Sequence, residues 1–497
     1  MADGNPNITA LGDAARSFLA GGAKQLLIDG KLLPARSGHT FEVINPATEE
    51  KIAAAASGDA ADVDAAVKAA RRALEQKSWR GMTPHERTRL LLNIADTVEK
   101  HLEELAQLET LNNGCPISFA RAQIADVAQT FRYYAGWPTK IYGETNPSGP
   151  DTLNYTLREP VGVCGQIIPW NGPLSSASWK IAPALACGNT VVLKPAEQTP
   201  LTAIRFGQLL LEAGVPPGVV NVVTGFGETA GAALVAHGDV DKIAFTGSTE
   251  VGKKIVAAAA GTVKRVTLEL GGKSPNIIFG DADLGRAANS SAAGFCFLAG
   301  QICVASSRVF VHSSIYDAFI ENLTAAATAF VPGDPMDAGT MMGPLVSREQ
   351  YERVTNYFKL GKADGAKVAL GANVRPGKGY FVQPTVFSNV SNDMRIAKEE
   401  IFGPVASVIR FDTEEEAIRL GNQTDYGLAA AVWTRDISRG HRVAHALRAG
   451  TVWINTYLQI DAISPFGGFK QSGYGRELGR ASIESYTELK SVYAHLG

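Results

Sequence analysis

Between Val161 and Leu270 the chain alternates short, apolar, β-branched runs with longer stretches of helical period, and this rhythm constrains the fold more than any other feature. Val161–Ile168, Thr190–Leu193, Val219–Val223, Lys242–Phe245 and Lys264–Leu270 read as strands. Between them fall a helix through Trp179 and Leu185 that ends at Gly188, and one capped by Thr199-Pro200 that ends at Gly214. Strands that are apolar on every residue are buried on both faces, so the expected core is a parallel sheet covered by crossover helices, a doubly wound α/β domain. A second α/β stretch runs from about Ser274 to Phe469; its last strand, Thr451–Thr456, leads to the glycine-rich loop Phe466 to Gly473. At 497 residues the chain exceeds what one core can hold, and two or three domains are expected.

The flanks read differently. Ala60–Leu74 has helical period, and Thr83-Pro84-His85-Glu86 is a capping box that opens a long helix through Leu92, Ile94, Val98 and Leu105. Thr139–Tyr142 and Thr152–Leu157 alternate polar and apolar residues around Asn146-Pro147-Ser148-Gly149-Pro150, an antiparallel hairpin pattern. The tail Thr487–Tyr493 looks extended and could add to that hairpin, a projecting element suited to oligomerisation.

A net charge of −2 without a block of like charges gives no electrostatic case for nucleic acid or an anionic membrane. No stretch is apolar for a membrane-spanning length, and Met1–Gly30 shows no basic region followed by a long apolar run. Five cysteines without paired spacing argue for a reducing compartment, so a cytoplasmic location is expected. His441 and His445 stand four apart, but Arg442 occupies the place where a zincin needs glutamate, and no metal is expected.

Cys303 lies in Gly300-Gln301-Ile302-Cys303, between a small-residue apolar segment read as a helix ending at Gly300 and the strand Val309–Val311. A loop thiol there can face a cleft and act as a nucleophile. Three glycine-rich stretches invite comparison with phosphate loops. Gly271-Gly272-Lys273-Ser274 fails, because Thr267 stands where the first glycine of a P-loop belongs. Gly225 to Gly231 and Gly247 to Gly252 each follow a strand and approximate the dinucleotide fingerprint, and a helix amino terminus there would favour a pyrophosphate. Lys194-Pro195-Ala196-Glu197 ends a strand, where an acidic residue can accept ribose hydroxyls and repel a 2′-phosphate.

Taken together, Pro169-Trp170-Asn171, Lys194–Glu197, Phe245-Thr246-Gly247-Ser248, Glu269-Leu270-Gly271-Gly272-Lys273, Gly300–Cys303, Glu400-Ile401-Phe402-Gly403-Pro404 and Pro465–Gly468 resemble the NAD(P)-dependent aldehyde dehydrogenase superfamily over nearly the whole chain. The resemblance implies an NAD-binding domain from 1–137 and 161–270, a catalytic domain from 271–470, and an oligomerisation element from 138–160 and 486–497. It implies oxidation of an aldehyde to the acid with Cys303 as nucleophile, Asn171 as oxyanion donor and Glu269 as general base. It places Lys194 and Glu197 on the adenosine ribose, Trp170 and Ser248 near the pyrophosphate, and Glu400 and Phe402 at the nicotinamide end. Ile168, Pro169, Gly225, Gly247, Val251, Leu270 and Gly271 complete the cofactor set, with NAD expected over NADP.

For the substrate pocket the resemblance implies Gly172, Ser176, Trp179, Phe297, Ile302, Leu458, Ile460 and Phe466. Gly172 and Ser176 are small, so medium, bulky or aromatic apolar aldehydes are expected. Cys115, Cys164, Cys187 and Cys296 read as structural. The expected partners are the small aldehyde and further copies of the chain, as a homotetramer or otherwise a dimer. A relative that passes the acyl group to a thiol such as coenzyme A generally lacks the glutamate at position 269, and a non-catalytic protein on the same scaffold would not need Cys303, Glu269 and Asn171 intact.

Overall fold

A computed structural model describes residues 11–497, so the first ten residues of the Met1–Gly30 stretch and of the segment 1–137 lie outside the described residues. The expected doubly wound sheet is present. Its order is Gly473–Tyr474, Arg265–Glu269, Lys242–Thr246, Val163–Ile167, Thr190–Lys194, Val220–Val222, Leu26–Ile28 and Lys31–Leu33. The five strands between Arg265–Glu269 and Val220–Val222 pair in parallel, and the outer ones are antiparallel additions. Val163–Ile167, Thr190–Lys194 and Val220–Val222 are buried at every residue, because helices cover both faces.

The second sheet runs Lys367–Leu370, Thr385–Ser388, Val405–Phe411, Arg308–His312, Pro275–Ile278, Ala429–Trp433 and Thr451–Ile454. It is parallel except at Lys367–Leu370, and its apolar core, with Phe310, Trp433 and Phe387, is distinct from the core of the first sheet. The chain passes from the first sheet to the second along Leu270–Ser274, directly from Arg265–Glu269 to Pro275–Ile278, and after Thr451–Ile454 it returns to the first sheet at the edge strand Gly473–Tyr474. A third sheet joins Thr487–His495 to Thr152–Pro160 and Thr145–Asn146, so the tail does extend the hairpin. Thr40–Asn45 and Glu50–Ala56 form a small antiparallel pair not read from the sequence.

Four local expectations are corrected. Thr139–Tyr142 is not a strand: Pro138–Lys140 is a turn of 3₁₀-helix, and the short strand that pairs is Thr145–Asn146. The helix from Thr83 keeps its capping box but stops at Lys100, and Leu105 belongs to a separate helix, Leu102–Asn113, after a break at His101. Thr199 does not cap Leu201–Glu212; the Leu201 N–H donates to Asn112 Oδ1 instead, at 3.1 Å. The helix before Cys303 ends at Cys296, and Leu298 and Ala299 turn the chain through left-handed backbone before Gly300.

Candidate active site

The first sheet turns its strand order at Val163–Ile167, with Thr190–Lys194 on one side and Lys242–Thr246 on the other. Ligands in open α/β sheets bind outside the carboxyl ends at such a switch point. Pro169-Trp170-Asn171, Lys194–Glu197, Gly247-Ser248 and Leu270-Gly271 all leave the sheet there. The Ile168 N–H donates to Lys194 O at 3.1 Å, tying two strand ends together, and the Ile168 side chain is sunk in the core, so only its backbone is available to a ligand. Lys194 is 2 % exposed and donates to Glu197 at 3.0 Å, which makes this a half-buried pair rather than a solvated surface pair. Burial lowers the Lys194 amine and Glu197 opposes that shift.

Ser248 caps the helix Thr249–Ala259 by accepting from the Val251 N–H at 3.3 Å. Val251 and Phe226, large and apolar, stand 41 % and 44 % exposed on the connections after two of these strands. Gly225 is required by packing: a Cβ there would come within 2.6 Å of Gly58 O. Exposed apolar side chains, a helix amino terminus and a carboxylate on the same edge form a donor set that fits a dinucleotide. Leu270 is buried, its N–H bonded to Ser472 O at 3.0 Å.

The nucleophile loop meets this edge from the second sheet. Asn171 Nδ2 donates to Gln301 O at 2.8 Å, which fixes the amide beside Cys303 and leaves its other N–H free to donate. Gln301 is held in turn, donating to Leu298 O at 2.9 Å and accepting from the Val346 N–H at 2.9 Å. Cys303 is the one cysteine partly open to solvent; Cys115, Cys164, Cys187 and Cys296 are buried. Burial, then the carboxylates of Glu400 and Glu269, push the Cys303 thiol up to about 12.

Glu269 is 4 % exposed, and neither carboxylate oxygen has a hydrogen-bond partner among the described residues. Burial, reinforced by Glu477, raises it well above the ordinary carboxylate range. A buried carboxyl without partners is held in reserve for a proton, the state a general base needs. Glu400 Oε1 accepts from the Gly272 N–H at 2.9 Å, and a Cβ on Gly271 would collide with the Glu400 carboxyl. Phe402 follows at a φ of 59°, its ring 5.2 Å from that of Trp170 and edge-on to it.

The pocket residues are not all alike. Gly172 precedes the helix Pro173–Ala186 and Ser176 and Trp179 lie within it. A Cβ at Gly172 would find nothing nearer than Gln123 Nε2 at 3.8 Å, so the position leaves open space. Trp179 packs on Phe466 with ring centroids 5.4 Å apart, while Phe297 stacks on Phe119 at 5.9 Å. Ile302 and Leu458 are half-buried, and Ile460 is 39 % exposed at the rim.

The sequence offered no signal for Lys180 and Glu477, which form a fully buried ion pair beside Glu269. Lys180 also donates to Thr246 Oγ1 at 2.6 Å. A lysine inside a helix and an acid in a polar run both look solvent-facing until the tertiary contact is known. Gln350 was likewise missed; its amide donates to Phe402 O at 2.7 Å and steadies the Glu400–Phe402 loop. No group of three or more His, Cys, Asp or Glu side chains among the described residues could hold a metal. His441 and His445 lie on the exposed side of a helix.

Residues 33–492 match the family described as "Aldehyde dehydrogenase family". The chain is 55 % identical over 461 residues to aldehyde dehydrogenase 1A1 of Gallus gallus, covering 92 % of this chain and 90 % of that protein. Its structure is similar to the NAD+ complex of an aldehyde dehydrogenase from Bacillus cereus, with a TM-score of 0.96, 53 % identity, and coverage of 98 % and 99 % of the two chains. It is also similar to betaine aldehyde dehydrogenase of Staphylococcus aureus in complex with NAD+, with a TM-score of 0.95, 43 % identity and 97 % of each chain covered.

Proposed function

The chain belongs to the aldehyde dehydrogenase family and is an oxidoreductase that oxidises aldehydes with NAD; from that premise we propose that Cys303, Asn171 and Glu269 carry the reaction and that its substrates are apolar, medium-sized to bulky or aromatic aldehydes. The observation that carries the reading is the convergence on one partly open thiol of a fixed amide and an unpartnered buried carboxyl.

Cys303 Sγ adds to the aldehyde carbon, and its proton leaves to Glu269. The oxyanion of the thiohemiacetal accepts from the free N–H of Asn171 and from the backbone N–H of Cys303, and one such donor contributes about 2.7–4 kcal/mol of barrier lowering. NAD, when bound, supplies the hydride acceptor. Lys194 and Glu197 would hold its adenosine ribose, Gly247, Ser248 and Trp170 its pyrophosphate, and Glu400 and Phe402 its nicotinamide end. Ile168, Pro169, Gly225, Val251, Leu270 and Gly271 would complete the surround. Once the acyl group is a thioester on Cys303 and Glu269 has passed the thiol's proton on to solvent, its carboxylate takes a proton from the attacking water and returns it to the departing thiolate, so that the acid and the free thiol are released.

The first sheet with 1–137 and 161–270 serves as the NAD-binding domain, 271–470 as the catalytic domain, and 138–160 with 486–497 as the oligomerisation element. Leu157, Leu489 and Tyr493 on that third sheet are 41 %, 63 % and 72 % exposed, which suits a surface that another copy covers. The pocket reading rests on Gly172 and Ser176 being small among Trp179, Phe297, Phe466, Ile302 and Leu458. The test is NADH formation from aliphatic, aromatic and terpenoid aldehydes by the wild type and Cys303→Ala. Loss of all turnover in the variant with NAD binding retained supports the assignment, and near-normal turnover overturns it.

A further inference from the structure

The helix Leu102–Asn113 carries a buried carboxyl with no part in the chemistry described above. Glu109 is 1 % exposed, and its hydrogen-bond partners among the described residues are both neutral. Its Oε2 accepts from the Thr202 hydroxyl at 2.6 Å, and its Oε1 accepts from the Leu174 N–H at 3.4 Å. Both donors lie in the first turn of a helix, Leu174 in Pro173–Ala186 and Thr202 in Leu201–Glu212. The unpaired N–H groups and partial positive charge of two helix amino termini favour a carboxylate between them, which explains how an acid without a bonded cation is kept in this core.

The bond to Leu174 fills a gap left by Gly172. A helix start is ordinarily capped by the residue before it, whose side chain accepts from an N–H two or three residues on. Gly172 holds that place before Pro173–Ala186, has no side chain to offer, and leaves the helix without such a cap. Pro173 has no N–H, so Leu174 is the first donor of this helix. Glu109 accepts it from 65 residues away. Asn112, on the same helix as Glu109, accepts from the Leu201 N–H at 3.1 Å and donates to Gln198 O at 2.9 Å. One helix therefore caps the two that follow the Asn171 and Lys194–Glu197 loops. Its carboxyl end also abuts the first of these loops: Asn113, Gly114 and Cys115 enclose, with Trp170, Asn171 and Gln301, a cavity with room for about one water.

We propose that Glu109 is a positioning residue for the oxidation: by capping Pro173–Ala186 it holds the turn Asn171-Gly172 so that the Asn171 amide meets the developing oxyanion. The inference rests on Asn171 being the oxyanion donor. Gln301 O fixes the side-chain end of Asn171 at 2.8 Å, and Glu109 fixes the backbone three residues on. Between the two clamps lies glycine, the residue with the most backbone freedom to lose. The division of labour also leaves position 172 small, because a capping side chain there would enter the open space beside Asn171.

The full-length protein should be compared with Glu109→Leu, Glu109→Gln, Asn171→Ala and the double variant Glu109→Leu/Asn171→Ala, by kcat/KM for one aldehyde at saturating NAD and by Kd for NAD. The proposal expects kcat/KM of Glu109→Leu to fall about tenfold, inside the loss of about 10² that a 1 Å misplacement can cause, with Kd for NAD unchanged. Glu109→Gln keeps an acceptor for Leu174 and offers a donor to Thr202, so it should return to within about twofold of the wild type. Asn171→Ala should itself lose about 10²–10³. In that background Glu109→Leu should cost nothing further, because the two residues act through one group. A full additional loss in the double variant, or a loss in Glu109→Leu matched by weaker NAD binding, overturns the proposal and leaves the role of Asn171 standing. Wild-type kcat/KM in Asn171→Ala overturns both. Should Glu109→Leu fail to fold, Glu109→Asp, one methylene too short to reach both donors, takes its place in the same cycle, with an expected loss of about threefold.

Discussion

Replacing Glu269 with glutamine keeps the side-chain volume while removing the unbonded carboxylate assigned as the base beside Cys303. Because neither carboxylate oxygen is hydrogen-bonded to any of the described residues, the substitution breaks no hydrogen bond among them, and its effect falls on chemistry. Loss of a general base costs about 10²–10⁴ in rate, which is about 2.7–5.4 kcal/mol of barrier at 1.36 kcal/mol per decade. Where the thiol can still lose its proton to water and the slow step is hydrolysis of the thioester, stopped-flow traces of NADH should show a burst close to one equivalent per active site, followed by a steady state slower by that factor. The pH dependence has a definite sign. Glu269 is raised by burial and by Glu477, so its base form grows as pH climbs, and wild-type hydrolysis should rise through that titration. The variant should lack this limb. Stability has the opposite trend: the raised carboxyl binds its proton more tightly folded than unfolded, a contribution fully present below about pH 4.3 and lost as pH rises toward the folded value. The Tm of Glu269→Gln should therefore gain on the wild type as pH increases. Unchanged steady-state turnover, or a slow phase that keeps the wild-type pH limb, would refute the assignment.

Glu197→Ser should narrow the preference for NAD over NADP, chiefly by improving kcat/KM for NADP, and a wild type that favours NADP would show that Lys194 dominates the site. Gly271→Ala places a methyl against the Glu400 carboxyl and must displace it from the Gly272 N–H, so kcat/KM should fall about tenfold or more, the cost of one charge-assisted hydrogen bond, while Tm moves little. Normal kinetics in that variant would remove Glu400 from the site. Gly172→Phe fills open space next to Asn171 and should raise KM for bulky aldehydes far more than for acetaldehyde, at about 0.8 kcal/mol per methylene no longer buried. An unchanged substrate profile would move the pocket wall to Leu458 and Ile460.

The parallel sheet was legible because its strands are apolar on both faces, and that signal depends on no distant contact. What failed was decided by partners remote in sequence. The apolar period runs unbroken through His101 because the helices on either side bury residues in the same core, so nothing local announces the break. Thr199 has the composition of a cap, but Asn112 arrives from another helix and takes the role. The turn at Leu298 and Ala299 was invisible because neither residue prefers left-handed backbone; tertiary packing imposes it. Cys303 and Asn171 were found because they lie in dense local motifs, whereas Lys180 and Glu477 are 297 residues apart and meet only in the folded chain.

That remoteness also indicates how the site is kept in register. Asn171 leaves the first sheet after Val163–Ile167, and Cys303 enters the second ahead of Arg308–His312. The Asn171–Gln301 hydrogen bond joins their loops, and the stretch Glu269–Gly272 carries both the base and the Glu400 cradle within four residues. Left-handed non-glycine residues cluster around this seam, at Leu298, Ala299, Phe402 and Leu458. Each costs on the order of 1–3 kcal/mol and persists only where surrounding structure dictates it. Gln301 and Gln350 supply that constraint through buried amide bonds to Leu298, Val346 and Phe402. The stability stored in the two separate cores is thus spent at their junction, where an amide, a thiol and a carboxyl from different elements must be held within reach of one carbonyl carbon.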